Sequence, residues 1–165
     1  MALAQRPAVD VAEVLTHGRR APVILLEDPR DLGNMGACVR VAAAADAAGL
    51  LSTGSHDPWH PDALRGAAGL HFALPVARVT DVAALADDGR ELVALDPEGE
   101  ELDPTRLAPR ALLAFGSERD GLSDELLARA QRRVRVPMRE GVSSLNLATS
   151  VAAVLFAWRL ARRAG

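Results

Sequence analysis

Short apolar runs alternate with helical stretches along this chain, and no other feature constrains its fold as much. Pro22 precedes "VILLEDP", an apolar run closed by turn residues, which reads as a buried strand. "GNMGACVRVAAAADAAG" is rich in alanine and stops at Gly49, the pattern of a helix with a glycine terminator. The strand signature recurs in "LLSTG", "ELVALD", "ALLAFG" and "VRVPM". The helical pattern recurs in "HPDALRGAAG", in "TDVAALADDG" with Thr80 as its cap, in "SDELLARAQRR" and in "LNLATSVAAVLFAWRLARR". Such alternation predicts an α/β fold: a mostly parallel sheet with helices on both faces.

Several classes of protein drop out on composition. No apolar run reaches the length of a bilayer span, and the first residues lack the unbroken apolar core of a signal peptide. The lone cysteine, Cys38, cannot form an internal disulfide, which agrees with a reducing, cytoplasmic setting. The 165 residues fit a single domain, and no internal repeat or linker divides them. All 19 basic residues are arginine, yet the net charge is −3 and the pI about 5.8, so nothing advertises a polyanion partner. The last helix carries apolar residues on more than one face (Leu147, Val151, Val154, Leu155, Phe156, Trp158), which predicts cover from a second subunit.

Three segments bear the polar residues that chemistry needs. In "FGSERDGLSDELL", Gly116 and Gly121 bracket a loop that resembles a triphosphate-binding loop with Leu122 in place of its lysine. Loss of the cation argues against triphosphate hydrolysis. What remains is a strand running into a loop with an acid, Glu118, at a strand end where ligands sit in α/β sheets, or an ordinary strand-to-helix turn. In "DPRDLGNMGACVR", Gly33 and Gly36 permit close backbone approach, Asn34 can hold a turn, and Arg40 is either solvated or aimed at a phosphate or ribose edge. In "VPMREGVSSLNLATS", Ser143, Ser144 and Asn146 lie between a strand and the last helix, as helix caps or as ligand contacts. "HDPWH" offers His56, Asp57 and His60 but no further ligand to complete a metal site, and Cys38 reads as a packed small residue.

Taken in order, these segments resemble the SpoU (TrmH-like) branch of the SPOUT RNA 2′-O-ribose methyltransferases. "DPRDLGNMGACVR" matches its Asn–Gly turn with a following arginine, "FGSERDGLS" its Gly-x-Glu-x-x-Gly-Leu loop, and "VPMREGVSSLNLATSVAAVLF" its Pro-Met, glycine and Ser-Leu-Asn segment. "HPDALRGAAGLHFALPV" resembles the family's connecting segment, and the likeness runs from about Val23 to the C-terminus. The resemblance implies a C-terminal deep trefoil knot, a homodimer, S-adenosyl-L-methionine as cofactor, and transfer of its methyl group to a ribose 2′-hydroxyl of tRNA or rRNA without a metal. It also implies catalytic positions at Asn34, Arg40, Glu118, Ser144 and Asn146. Gly116, Glu118, Gly121, Leu122, Val136, Met138, Ser144 and Leu145 fall on cofactor-binding segments.

Many relatives carry an extra RNA-binding domain or extension, whereas only about 20 residues precede the first strand here, so residues 1–20 are expected to form an N-terminal extension with no separate RNA-binding domain. An acidic chain that holds RNA then needs a local basic patch, for which Arg19, Arg20, Arg30, Arg40 and Arg65 are the candidates. The alternative is a non-catalytic knotted dimer that binds the cofactor or RNA. A doubly wound nucleotide enzyme ranks third, because "EDPRDLGNMG" lacks the dinucleotide fingerprint.

Overall fold

Every residue of β1 (Val23–Leu26) is buried, because the strand runs down the middle of the sheet and is paired on both sides. The computed structural model describes residues 5–16, 18–80, 82, 85, 89–142 and 144–163. After α1 (Val11–Thr16) and β1 come α2 (Leu32–Ala44), β2 (Gly49–Ser52), α3 (Pro61–Gly66) and β3 (Val76–Arg78). These are followed by β4 (Leu92–Glu101), β5 (Leu112–Phe115), α4 (Asp124–Arg129), β6 (Arg132–Arg135) and α5 (Leu147–Arg163). The sheet order is β3-β2-β1-β5-β4-β6, and every pairing is parallel.

From β1 the chain builds outward through β2 to β3, then returns to lay down β4, β5 and β6 on the other side. The two halves therefore meet at β1 and β5, where Leu26 lies beside Phe115. This is the switch point of an open α/β sheet, the place where loops leaving neighbouring strands diverge and leave a crevice. The β1-α2-β2 and β5-α4-β6 connections run in opposite directions along the sheet.

Small side chains set the helix layer beside α2. A Cβ on Gly36 would stand 2.2 Å from the carbonyl oxygen of Ala63, so the glycine exists to seat α3 against α2. That is the close backbone approach expected from the sequence, with α3 as the partner rather than a ligand. Leu147, Val151, Val154, Leu155 and Trp158 form the buried stripe of α5, while Phe156 and Leu160 stay exposed.

Some elements depart from the sequence reading. The helix after Ser123 ends at Arg129, and Arg132 and Arg133 belong to β6, drawn into the strand by Glu100 and Asp96 across from them. α1 was not read from the sequence, although Asp10 caps it, accepting from the N–H of Ala12 at 2.9 Å, and Glu13 lies in its first turn. The guanidinium of Arg90, buried under it, donates to the carbonyls of Leu15 (2.6 Å), Ala21 (3.2 Å) and Val14 (3.4 Å), and Arg110 donates to Leu15 and Thr16. These bonds satisfy the open carbonyl end of a helix too short to persist alone. The helix expected over "TDVAALADDG" falls largely outside the described residues, as does Ser143.

Candidate active site

Because β1 and β5 are neighbours, the loops that follow them face each other, and Asn34 meets Glu118. The Nδ2 amide of Asn34 donates to Oε1 of Glu118 at 2.9 Å. Asn146, arriving from the other end of the chain, donates its Nδ2 to Oδ1 of Asn34, also at 2.9 Å. Its own Oδ1 accepts from the backbone N–H of Ala148 (3.0 Å) and Thr149 (3.3 Å), so Asn146 caps α5. The cap fixes which way each amide points: Asn146 must offer its NH2 to Asn34, and Asn34 must offer its NH2 to the carboxylate. Asn34 is itself set at the start of α2 by Asp31, which accepts from its backbone N–H at 2.6 Å. Three distant segments thus share one directed relay.

Cys38, one turn along α2, takes no part in nucleophilic chemistry. Burial first, and the charge of Glu118 second, push its thiol up to about 12.

The loop after β5 is not a phosphate loop. Ser117 and Gly121 pair antiparallel, with Ser117 N–H donating to Gly121 O (3.1 Å) and Gly121 N–H to Ser117 O (3.2 Å). Asp120 N–H donates to Ser117 Oγ, and Ser123 N–H to the carboxylate of Glu27 at 2.7 Å. These four backbone donors are turned inward rather than toward a phosphate. Pinching it this tightly requires glycine at both ends. A Cβ on Gly116 would lie 2.0 Å from the carbonyl carbon of Gly121, and Gly121 itself has φ +70°.

Beside the relay lies a cavity of about 480 Å³ at the ends of β4, β5 and β6. Of the residues that the resemblance implies, Gly116, Glu118, Gly121, Val136, Met138, Ser144, Leu145 and Asn146 line it. Asn34 touches it through Glu118 and Asn146. Leu122 does not line it; half-buried, it packs on the core. Arg40 is exposed and also outside it. Six positions along a helix turn a side chain about 120° from its starting face, so Arg40 and Asn34 point different ways from α2.

Sequence reasoning missed Leu95, Asp96 and Pro97, which form the wall at the end of β4, and Arg119 beside Glu118. The turn residues closing "VALDP" were the available signal. Asp96 is held by Arg133, whose Nε donates to its Oδ2 at 2.6 Å. "HDPWH" proves to be scaffolding: Asp57 pairs with Arg6, and His60 caps α3. Among the described residues no three His, Cys, Asp or Glu side chains group as metal ligands, and no helix is long and apolar enough to cross a membrane.

Comparison with known proteins agrees with this geometry. Residues 21–156 match the SpoU rRNA Methylase family. An uncharacterized tRNA/rRNA methyltransferase of Mycobacterium bovis is 34% identical over 167 residues, spanning 94% of this chain and 57% of that protein. The 23S rRNA (adenosine(1067)-2′-O)-methyltransferase of Streptomyces laurentii is 35% identical over 150 residues, 86% of this chain and 54% of that one. The crystal structure of the SpoU methyltransferase AviRb from Streptomyces viridochromogenes, in complex with the cofactor AdoMet, superposes with a TM-score of 0.84 at 30% identity. It covers 96% of this chain and 64% of that one. The chain spans little more than half the length of these curated relatives.

Proposed function

The chain belongs to the SpoU rRNA Methylase family, and on that footing we propose that it transfers a methyl group from S-adenosyl-L-methionine to a ribose 2′-hydroxyl of tRNA or rRNA. The observation that carries this reading is the Asn146–Asn34–Glu118 relay opening onto the cavity. The cavity falls in the size range of small-molecule sites, and its mix of apolar wall and few polar groups suits an adenosine with a methionine tail. Leu95, Val136, Met138 and Leu145 would pack the base and sugar, with Asp96 and Ser144 as their polar partners. When bound, the cofactor supplies a methyl group on a positively charged sulfur.

The protein's part is alignment. Asn34, Asn146 and Glu118 are fixed to one another before any ligand arrives, so a ribose held against them meets a set geometry, and orientation of this kind supplies most of the gain in a displacement. A guanidinium is a poor base, so proton removal is not assigned to Arg40. Its role is to position the substrate and stabilise developing negative charge on the 2′-oxygen. Within one chain it stands away from the cavity. A homodimer, with Val142, Leu145, Phe156 and Leu160 as exposed apolar contacts, is part of this proposal. So are a cytoplasmic setting and a trefoil knot formed where the chain returns after the edge strand β6 to bring Asn146 to Asn34.

The position of Arg40 also motivates the second reading, a non-catalytic dimer that binds cofactor or RNA. Methyl transfer by the unaltered protein separates the two, and Arg40→Ala tests the role of that residue. The enzyme reading expects methyl transfer to fall at least about 100-fold, with calorimetric binding of S-adenosyl-L-methionine unchanged. Full activity in that variant would remove Arg40 from the mechanism, and no activity in the unaltered protein despite cofactor binding would favour the second reading.

A further inference from the structure

The chain's acidity is at odds with an RNA substrate until its arginines are sorted by what holds them. Arg6, Arg19, Arg30, Arg65, Arg132 and Arg133 form ion pairs with nearby carboxylates. Arg78, Arg129, Arg135, Arg159 and Arg162 donate to backbone carbonyls. Of the patch expected from sequence, Arg19, Arg30 and Arg65 are therefore already engaged. Among the described residues, Arg20, Arg40, Arg106, Arg119, Arg139 and Arg163 make no ion pair or side-chain hydrogen bond.

Arg40 lies outside the cavity and already has a place in the proposed mechanism, and position divides the other five. Arg20 precedes β1 and so lies at the opposite end of the parallel sheet from Glu118, and Arg163 is at the far end of α5. Arg106 precedes β5, at that same opposite end, and interacts electrostatically with Glu100 and Asp103. Arg119 is in the loop after β5, on the cavity wall next to Glu118. Arg139 is in the loop after β6, next to Met138, which lines the same cavity. Both are exposed.

We infer that Arg119 and Arg139 are the positioning contacts for the RNA backbone, holding phosphates that flank the target ribose on either side of the cavity mouth. This rests on the proposed methyltransferase reading and extends it to residues outside the motifs. A phosphodiester strand fits better than the methionine carboxylate, because Arg139 is not on the cavity wall. A net charge of −3 repels a polyanion at long range, so the attraction must come from guanidinium groups that no carboxylate neutralises. Asp120, beside Arg119, leans to Arg30 at 3.9 Å. Glu140, the exposed acid beside Arg139, opposes the contact.

The test is the salt dependence of RNA binding, measured on the full chain with bulk tRNA and with rRNA fragments. In Arg119→Gln/Arg139→Gln, the slope of log affinity against log salt should fall by about 2, roughly 1 for each phosphate no longer held. Binding of S-adenosyl-L-methionine should stay unchanged, and Glu140→Gln should tighten RNA binding. Arg65→Gln, already paired, and Arg20→Gln, at the far end, should leave the slope as it is. If the unaltered protein binds RNA and the double variant keeps its slope, the assignment is wrong while the enzyme reading stands. If the double variant instead loses cofactor affinity, these arginines serve the cavity and the inference fails. If the unaltered protein binds no RNA, both fail together.

Discussion

The two ends of the parallel sheet use arginine and backbone polar groups in opposite ways. At the end where strands begin, Arg90 is buried, and its guanidinium gathers the carbonyls of Val14, Leu15, Ala21 and Arg110. At the end where strands finish, Arg119 is exposed and holds nothing within the described chain. The first arrangement joins the α1 segment to the sheet. The second leaves charge available at a mouth whose side chains, Asn34, Glu118 and Asn146, are already locked to one another. One end is built to be stable and the other to be occupied, which follows from the topology: parallel strands place diverging loops at their C-terminal ends only.

The largest effect expected from breaking this division is at Arg90. Arg90→Met leaves several buried carbonyls without a donor and should lower stability by about 3–5 kcal/mol, read as a shift in urea midpoint. Activity measured at low temperature should survive. A loss below about 1 kcal/mol would show that α1 is held by packing alone.

Asn34→Ala should do the reverse. The residue is half-buried at the rim of the site, so stability should change little, while methyl transfer falls about 100-fold, the usual scale for removing one preorganised donor. Unfolding of that variant would show that the relay is scaffold rather than site.

The smallest effect concerns His71, which is fully buried against Trp59. Burial lowers its pKa below the ordinary 6.5, outweighing the Pro58 carbonyl and the charge of Asp57, which act the other way. Above pH 6.5 folded and unfolded chains are both neutral at this group. As pH falls below that, the unfolded chain takes a proton that the folded one resists, so stability declines toward the depressed folded value. His71→Gln should flatten that slope without touching methyl transfer; an unchanged slope would assign it to other groups.

What could be read from sequence follows the same division. The central strands β1 and β5 were readable because each is a short, wholly buried apolar run, Val23–Leu26 and Leu112–Phe115. The glycine–acid–glycine loop was readable because pinching Ser117 to Gly121 demands those residue types. Spacing could not show that Asn146 reaches back to Asn34, because that contact depends on where the chain returns after β6. α1 was missed because its stability comes from Arg90, far away in sequence. Arg132 and Arg133 read as the end of a helix, and their strand assignment depends on Glu100 and Asp96, which only the folded sheet brings alongside. Arg119 was not singled out, since what sets it apart is its place on the cavity wall beside Glu118 with no carboxylate paired to it.

The central claim is that the mouth formed by Asn34, Glu118 and Asn146 methylates ribose in RNA. Incubation of the protein with labelled S-adenosyl-L-methionine and separate tRNA and rRNA fractions, followed by nucleoside mass spectrometry, tests it most directly. The expected result is a 2′-O-methylated nucleoside in one of the fractions, formed about 100-fold more slowly with Asn34→Ala. A methyl group found on a base, or label appearing equally with the Asn34 variant, would contradict it.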